Sequence, residues 1–104
     1  MEHAVLVHLP LRQGQFGARE ERHAIFALED QVMRAVGEAS AGKLDGHEFG
    51  DGACVLFLYG PDADRLYAVI EPLLKTAPAA AGGYAIKRYG EAGDSTAPEV
   101  RVSW

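Results

Sequence analysis

The sequence contains a single cysteine, a single tryptophan and two methionines among 104 residues. One thiol cannot close an internal disulfide, so the core must hold the fold, and this usage fits a reducing cytoplasm. No apolar run approaches the ~20 residues that a bilayer span requires, so no membrane segment is expected. The start, "MEHAVLVHLPLRQ", lacks a basic region and a small-residue cleavage site, and no signal peptide is read there. Basic residues are outnumbered: 10 Lys and Arg stand against 15 Asp and Glu, giving a net charge of -5 and a pI near 5.2. Nucleic acids and anionic membranes call for a basic surface, so neither is an expected partner.

What the chain does have is an ordinary globular composition, 48% hydrophobic and 24% charged, in a length that suits one domain spanning 1–104. "AVLVHL" at 4–9 is too short and too β-branched for a helix and is apolar on both faces, the mark of a central strand. After the loop "PLRQGQFG", a helix is predicted over 18–40. Its stripe is Ile25, Leu28, Val32, Val36 and Ala39, with Asp30 four residues before Arg34. "GKLDGHEF" is polar, as an edge strand would be. Asp51-Gly52 accepts the positive φ of a tight hairpin, so a turn is expected at 50–52. "ACVLFLY" is the second strand apolar on both faces. A second helix is predicted over 61–75, with the stripe Leu66, Val69, Ile70, Leu73 and Leu74 and with Pro72 inside it. "YAIKRY" and "EVRVSW" are the last strands.

The order is β-α-β-β-α-β plus one strand. The expectation is an α+β protein, a ferredoxin-like βαββαβ sandwich with an additional C-terminal strand and both helices on one face of an antiparallel sheet. In its usual strand order, 4-1-3-2, the two central strands are the two that are apolar on both faces here.

"GKLDGHEFGDG", "LFLYGPDADRLYAVIEPLL" and "GGYAIKRYG" resemble a family of small, uncharacterised bacterial α+β proteins, from about residue 16 onward. The resemblance rests on Asp45, Gly46, Glu48, Gly60, Pro61, Asp62, Asp64, Lys87, Arg88 and Gly90 and implies no activity for them.

The stretch 43–57 carries Asp45, His47, Glu48 and Asp51 and invites a metal or catalytic reading. A calcium loop fails, because Phe49 stands where a ligand belongs and Leu56 occupies the twelfth position from Asp45. The zinc-protease pattern lacks its second His. A polar edge strand is the preferred reading, with Asp45 and His47 on one face and Glu48 on the other. His8 interrupts a central strand and is read as a partly buried imidazole. Cys54 is read as a small core residue, and Lys87 and Arg88 as neighbours facing opposite ways, each able to pair with an acid. No metal, cofactor or catalytic residue is assigned. RNA-type stacking on strands one and three is not supported, because strand one has no aromatic.

Two functional expectations follow. One is a non-catalytic, acidic interaction or regulatory module that forms a homodimer or binds a protein partner. Its uncovered sheet face would carry either Val55, Phe57 and Tyr59 or Cys54, Leu56 and Leu58, with Leu6, His8 and Phe57 as interface candidates. The other is a small anionic-ligand site or enzyme at the end formed by loops 10–17, 50–52 and 76–83. Arg12, Arg19, His23 and Asp51 would form it, with Lys75 nearby.

Overall fold

The computed structural model describes residues 1–104. The elements are β1 (His3–Pro10), α1 (Arg19–Glu38), β2 (Lys43–Gly50), β3 (Ala53–Gly60), α2 (Ala63–Thr76), β4 (Tyr84–Arg88) and β5 (Glu99–Val102), with a 3₁₀ turn at Pro78–Ala80. All strand pairs are antiparallel, and the sheet order is β2-β3-β1-β4-β5. The protein is α+β, with two helices and one five-stranded sheet. β1 and β3, apolar on both faces, lie inside it, and the polar β2 lies at an edge.

Alternation decides which face carries the core. Val5, Val7 and Leu9 of β1 and Cys54, Leu56 and Leu58 of β3 are inaccessible to solvent. They share one cluster with Ile25, Leu28, Val32 and Val36 of α1 and with Leu66, Ile70 and Leu74 of α2. Both helices therefore cover the same face. The interleaved residues Leu6, His8, Val55, Phe57 and Tyr59 are only half-buried and lie outside that cluster.

Both helices differ at their ends from the sequence-based bounds, for reasons of capping. α2 starts at Ala63 because Asp62 stays extended (φ -144°) and its carboxylate accepts the N–H groups of Asp64 (3.0 Å) and Arg65 (3.2 Å). α1 ends at Glu38, and Ser40 turns into the left-handed region (φ 51°). The last turn of α1 has no basic residue, but Arg65 of α2 supplies one, donating to the carbonyls of Ala39 and Ser40. Asp30 and Arg34 form no ion pair. The β2–β3 hairpin turns on Asp51 (φ 53°) and Gly52 (φ 76°), two left-handed residues in succession, as the expected tight turn requires.

One expectation about β2 is corrected. A bulge between Leu44 and Gly46 leaves Asp45 as an extra residue. The alternation shifts there, so Leu44, His47 and Phe49 take the helix side while Lys43, Gly46 and Glu48 take the open side. Asp45 and His47 do not share a strand face in the simple way that unbroken alternation predicts.

Candidate functional site

The open face of the sheet has three rows running across the strands. The first row is Lys43, Tyr59, Ala4, Arg88 and Glu99, each opposite the next in register. The middle row is Gly46, Phe57, Leu6, Ile86 and Arg101. The third is Glu48, Val55, His8 and Tyr84. The apolar set is thus Val55, Phe57 and Tyr59 rather than Cys54, Leu56 and Leu58, and it sits beside Leu6 and Ile86. The centre of this face is apolar and the charges stand at its rims, the arrangement found at protein interfaces.

Several of its side chains are held in place by their neighbours. The His8 ring stacks on Tyr84 (centroids 4.5 Å apart, planes 7° apart), and the Arg101 guanidinium lies 3.7 Å from the Tyr84 centroid. His8 reaches Tyr84 from β1 and Arg101 reaches it from β5, so Tyr84 stands between them. Arg88 pairs with Glu99 at 3.0 Å. The sequence reading missed the part played by Tyr84. Its signal was the alternation of "YAIKRY", which puts Tyr84 in phase with Ile86 and Arg88.

Burial, first, and the nearby charge of Arg101, second, lower the pKa of His8 below its ordinary 6.5. A His depressed in the folded state takes up a proton more readily when unfolded. Stability is therefore full above about pH 6.5 and falls as the pH drops through that value toward the lowered folded pKa. Arg101 on β5 is the charged neighbour in this response, and the Tyr84 ring stacked on His8 contributes to its burial. Urea unfolding between pH 7.5 and 5 should show the decline, and His8→Gln should flatten it. An equal decline in the variant would assign it to another group.

At the loop end, the three predicted segments do meet. The Leu11 N–H donates to the Gly52 carbonyl (2.8 Å), the Gly52 N–H to the Gln15 carbonyl (3.0 Å), and the Arg12 guanidinium to the Ala81 carbonyl (3.4 Å). Arg12 lines a cleft of about 260 Å³ with Pro10, Glu20, Glu21, Ala24, Ile25, Pro78 and Ala79. Arg19, His23 and Asp51 do not line it. Arg19 is exposed, His23 tilts over Phe26 with centroids 6.4 Å apart, and Asp51 has only a 3.5 Å contact from the Gln15 side chain.

The amides available near Arg12 already hold an anion, which is the protein's own. The Glu21 carboxylate accepts from the N–H groups of Arg12 (2.7 Å), Gln13 (3.0 Å) and Ala18 (3.1 Å). The Arg12 amide, above all, holds its pKa below the usual carboxylate range. Glu21 fastens the loop to the start of α1, and with Glu20 it sets negative charge against Arg12.

His47 and Glu29 make the other notable pair. The His47 Nδ1 lies 2.9 Å and 2.8 Å from the two Glu29 oxygens. Glu29 is only 8% exposed, and Phe26 and Phe49 flank the His47 ring at 5.4 Å and 5.2 Å. The contact ties edge strand β2 to α1. Glu29 escaped the sequence reading, although it falls between Ile25 and Val32 on the apolar stripe, where a buried acid implies a partner. No three His, Cys, Asp or Glu side chains gather in a group able to hold a metal. Cys54 is wholly buried, and burial, reinforced by the charge of Glu29, pushes its thiol up to about 12; such a thiol is a poor nucleophile. Lys87 and Arg88 face opposite ways, as expected. Lys87 Nζ (2.9 Å) and the Tyr89 hydroxyl (2.5 Å) both bond Asp64 on the helix side.

No protein-family model matches the chain, and neither does any curated protein sequence or solved structure.

Proposed function

We propose that the protein is a non-catalytic interaction module that self-associates through the open face of its sheet. The observation that carries this reading is the middle row, where Phe57, Leu6 and Ile86 lie side by side with no helix over them. The strand order, with both helices on the opposite face, supports reading the architecture as a ferredoxin-like sandwich lengthened by β5. Kinship with the small bacterial α+β proteins that the sequence resembles belongs to the same proposal. An anionic-ligand site at the loop end is the weaker reading, because Glu21 fills the donor set there.

Sedimentation at 1–100 µM tests self-association. The wild type should show a concentration-dependent dimer. Leu6→Asp and Phe57→Asp should be monomeric with unchanged circular dichroism, since both positions lie outside the core. A wild type that remains monomeric at 100 µM refutes the proposal.

A further inference from the structure

The open-face residues of each strand, taken along its length, complement one another end to end. β2 presents Lys43, then Gly46 with no side chain, then Glu48: a cation, a gap and an anion. β3 presents Tyr59, Phe57 and Val55, with a large residue at one end and a small one at the other. β1 presents Ala4, Leu6 and His8, with the small residue in the row where β3 has its large one. β4 presents Arg88, Ile86 and Tyr84, with a cation at one end and an aromatic at the other. On β5, Glu99 lies in the first row, while Arg101 leans from the middle row toward Tyr84 in the third.

We infer that the partner on this face is a second copy of the chain, related by a two-fold axis that crosses the strands along the middle row. The inference rests on the self-association proposed above and adds the identity and orientation of what covers the face. Such an axis reverses each strand's set onto itself. Lys43 then meets Glu48 of the second copy, Ala4 meets His8, Val55 meets Tyr59, and the middle row meets itself, Leu6 on Leu6 and Phe57 on Phe57, with the two Arg101 side chains leaning apart toward their own Tyr84 rings. Arg88 meets Tyr84, whose ring is held upright between His8 and Arg101, leaving its hydroxyl to be contacted. An axis along the strands also brings opposite charges together, Lys43 with Glu99 and Glu48 with Arg101. It sets His8 against His8, however, and Ala4, itself only 2% exposed, against Ala4. The complementarity of small with large therefore favours the crossing axis.

The extent of the face is adequate for such a partner. Five strands about 4.8 Å apart, up to about 26 Å long, offer at most about 600 Å² per copy, or ~1,200 Å² in the pair. That is the lower end of specific interfaces, the size of weak or transient ones. Face-to-face sheets of this kind cross at about 30° because each is twisted, so the rows meet most closely at the centre.

Charge reversal on β2 distinguishes the two axes. Lys43 and Glu48 are both exposed, and Lys43 has only Asp45, 4.0 Å away, as a partner within its own chain. Under the crossing axis, K43E or E48K alone places two like-charge contacts in each dimer, and each should weaken it about 3- to 10-fold. The double variant K43E/E48K restores both contacts and should return to within about twofold of wild type in sedimentation equilibrium at low salt. A double variant weaker than either single one would overturn the crossing axis in favour of the axis along the strands. Indifference to all three substitutions would overturn it as well, because the rims would then not meet. In both of these cases the self-association remains intact, whereas a monomeric wild type removes the self-association itself.

Discussion

Leu58→Ala should destabilise the domain by about 2–5 kcal/mol, the range for emptying a buried leucine site. Leu58 is wholly inaccessible. It lies on β3 opposite Val5 on one side and Leu44 on the other, and it faces the helices. Rigid neighbouring strands on both sides limit how far the cavity can collapse. For a domain of this size the melting temperature should fall by roughly 10–30 °C, while the urea m-value stays unchanged. Val55→Ala, on the open side of the same strand, should cost markedly less. A Leu58→Ala loss no larger than that of Val55→Ala would mean that the two faces of β3 have been exchanged.

Gly60→Ala should have an effect of similar size by the opposite means, adding an atom where none fits. A Cβ at Gly60 would lie 2.2 Å from the Ala41 carbonyl oxygen and 3.3 Å from the Gly42 Cα. Both obstacles are backbone, so no side chain can swing aside. Overpacking commonly costs 1–3 kcal/mol, and a backbone collision belongs at or above the top of that range, about 3 kcal/mol. Gly37→Ala is the control. That glycine lies inside α1 with open space where a Cβ would stand, and the substitution should stabilise the helix by about 0.5–1 kcal/mol. Chemical denaturation of the two variants side by side separates a steric effect from a general response to losing glycine. Equal stability of Gly60→Ala and wild type would show that β3 and the 41–42 segment do not approach so closely.

The sheet was largely legible in the sequence because its information is local. Two strands apolar on both faces, a polar one and an Asp-Gly turn suffice to sort β1, β3 and β2 into centre and edge. Which face of β1 and β3 meets the helices was not legible, because Val5 and Leu6, or Leu56 and Phe57, are equally suited to burial. The bulge at Asp45 was also hidden: a one-residue insertion leaves no compositional mark, yet it re-aims everything from Gly46 back to the turn. At the loop end, the gathering of three segments followed from topology. The fate of Arg12 did not, because it depends on Glu21 reaching back nine residues to take its amide. Glu29 and His47 illustrate the same limit. Neither residue is unusual alone, and only the packing of α1 across β2 makes them partners.

The position of β1 in the sheet has a consequence for the chain during its synthesis. β1 is hydrogen-bonded on both sides, to β3 and to β4, and Phe57, the β3 partner of Leu6, follows it by about fifty residues. At 5–20 residues per second, β1 waits roughly 3–10 s for its first neighbour, with both edges and both apolar faces uncovered. A nascent strand in that condition can pair with the wrong chain. The next element to emerge, after the 11–18 loop, is α1, rich in charge and built from local contacts. A charged helix thus follows the hydrophobic strand, and the β2–β3 hairpin, closed by its own local turn, offers β1 the free edge of β3.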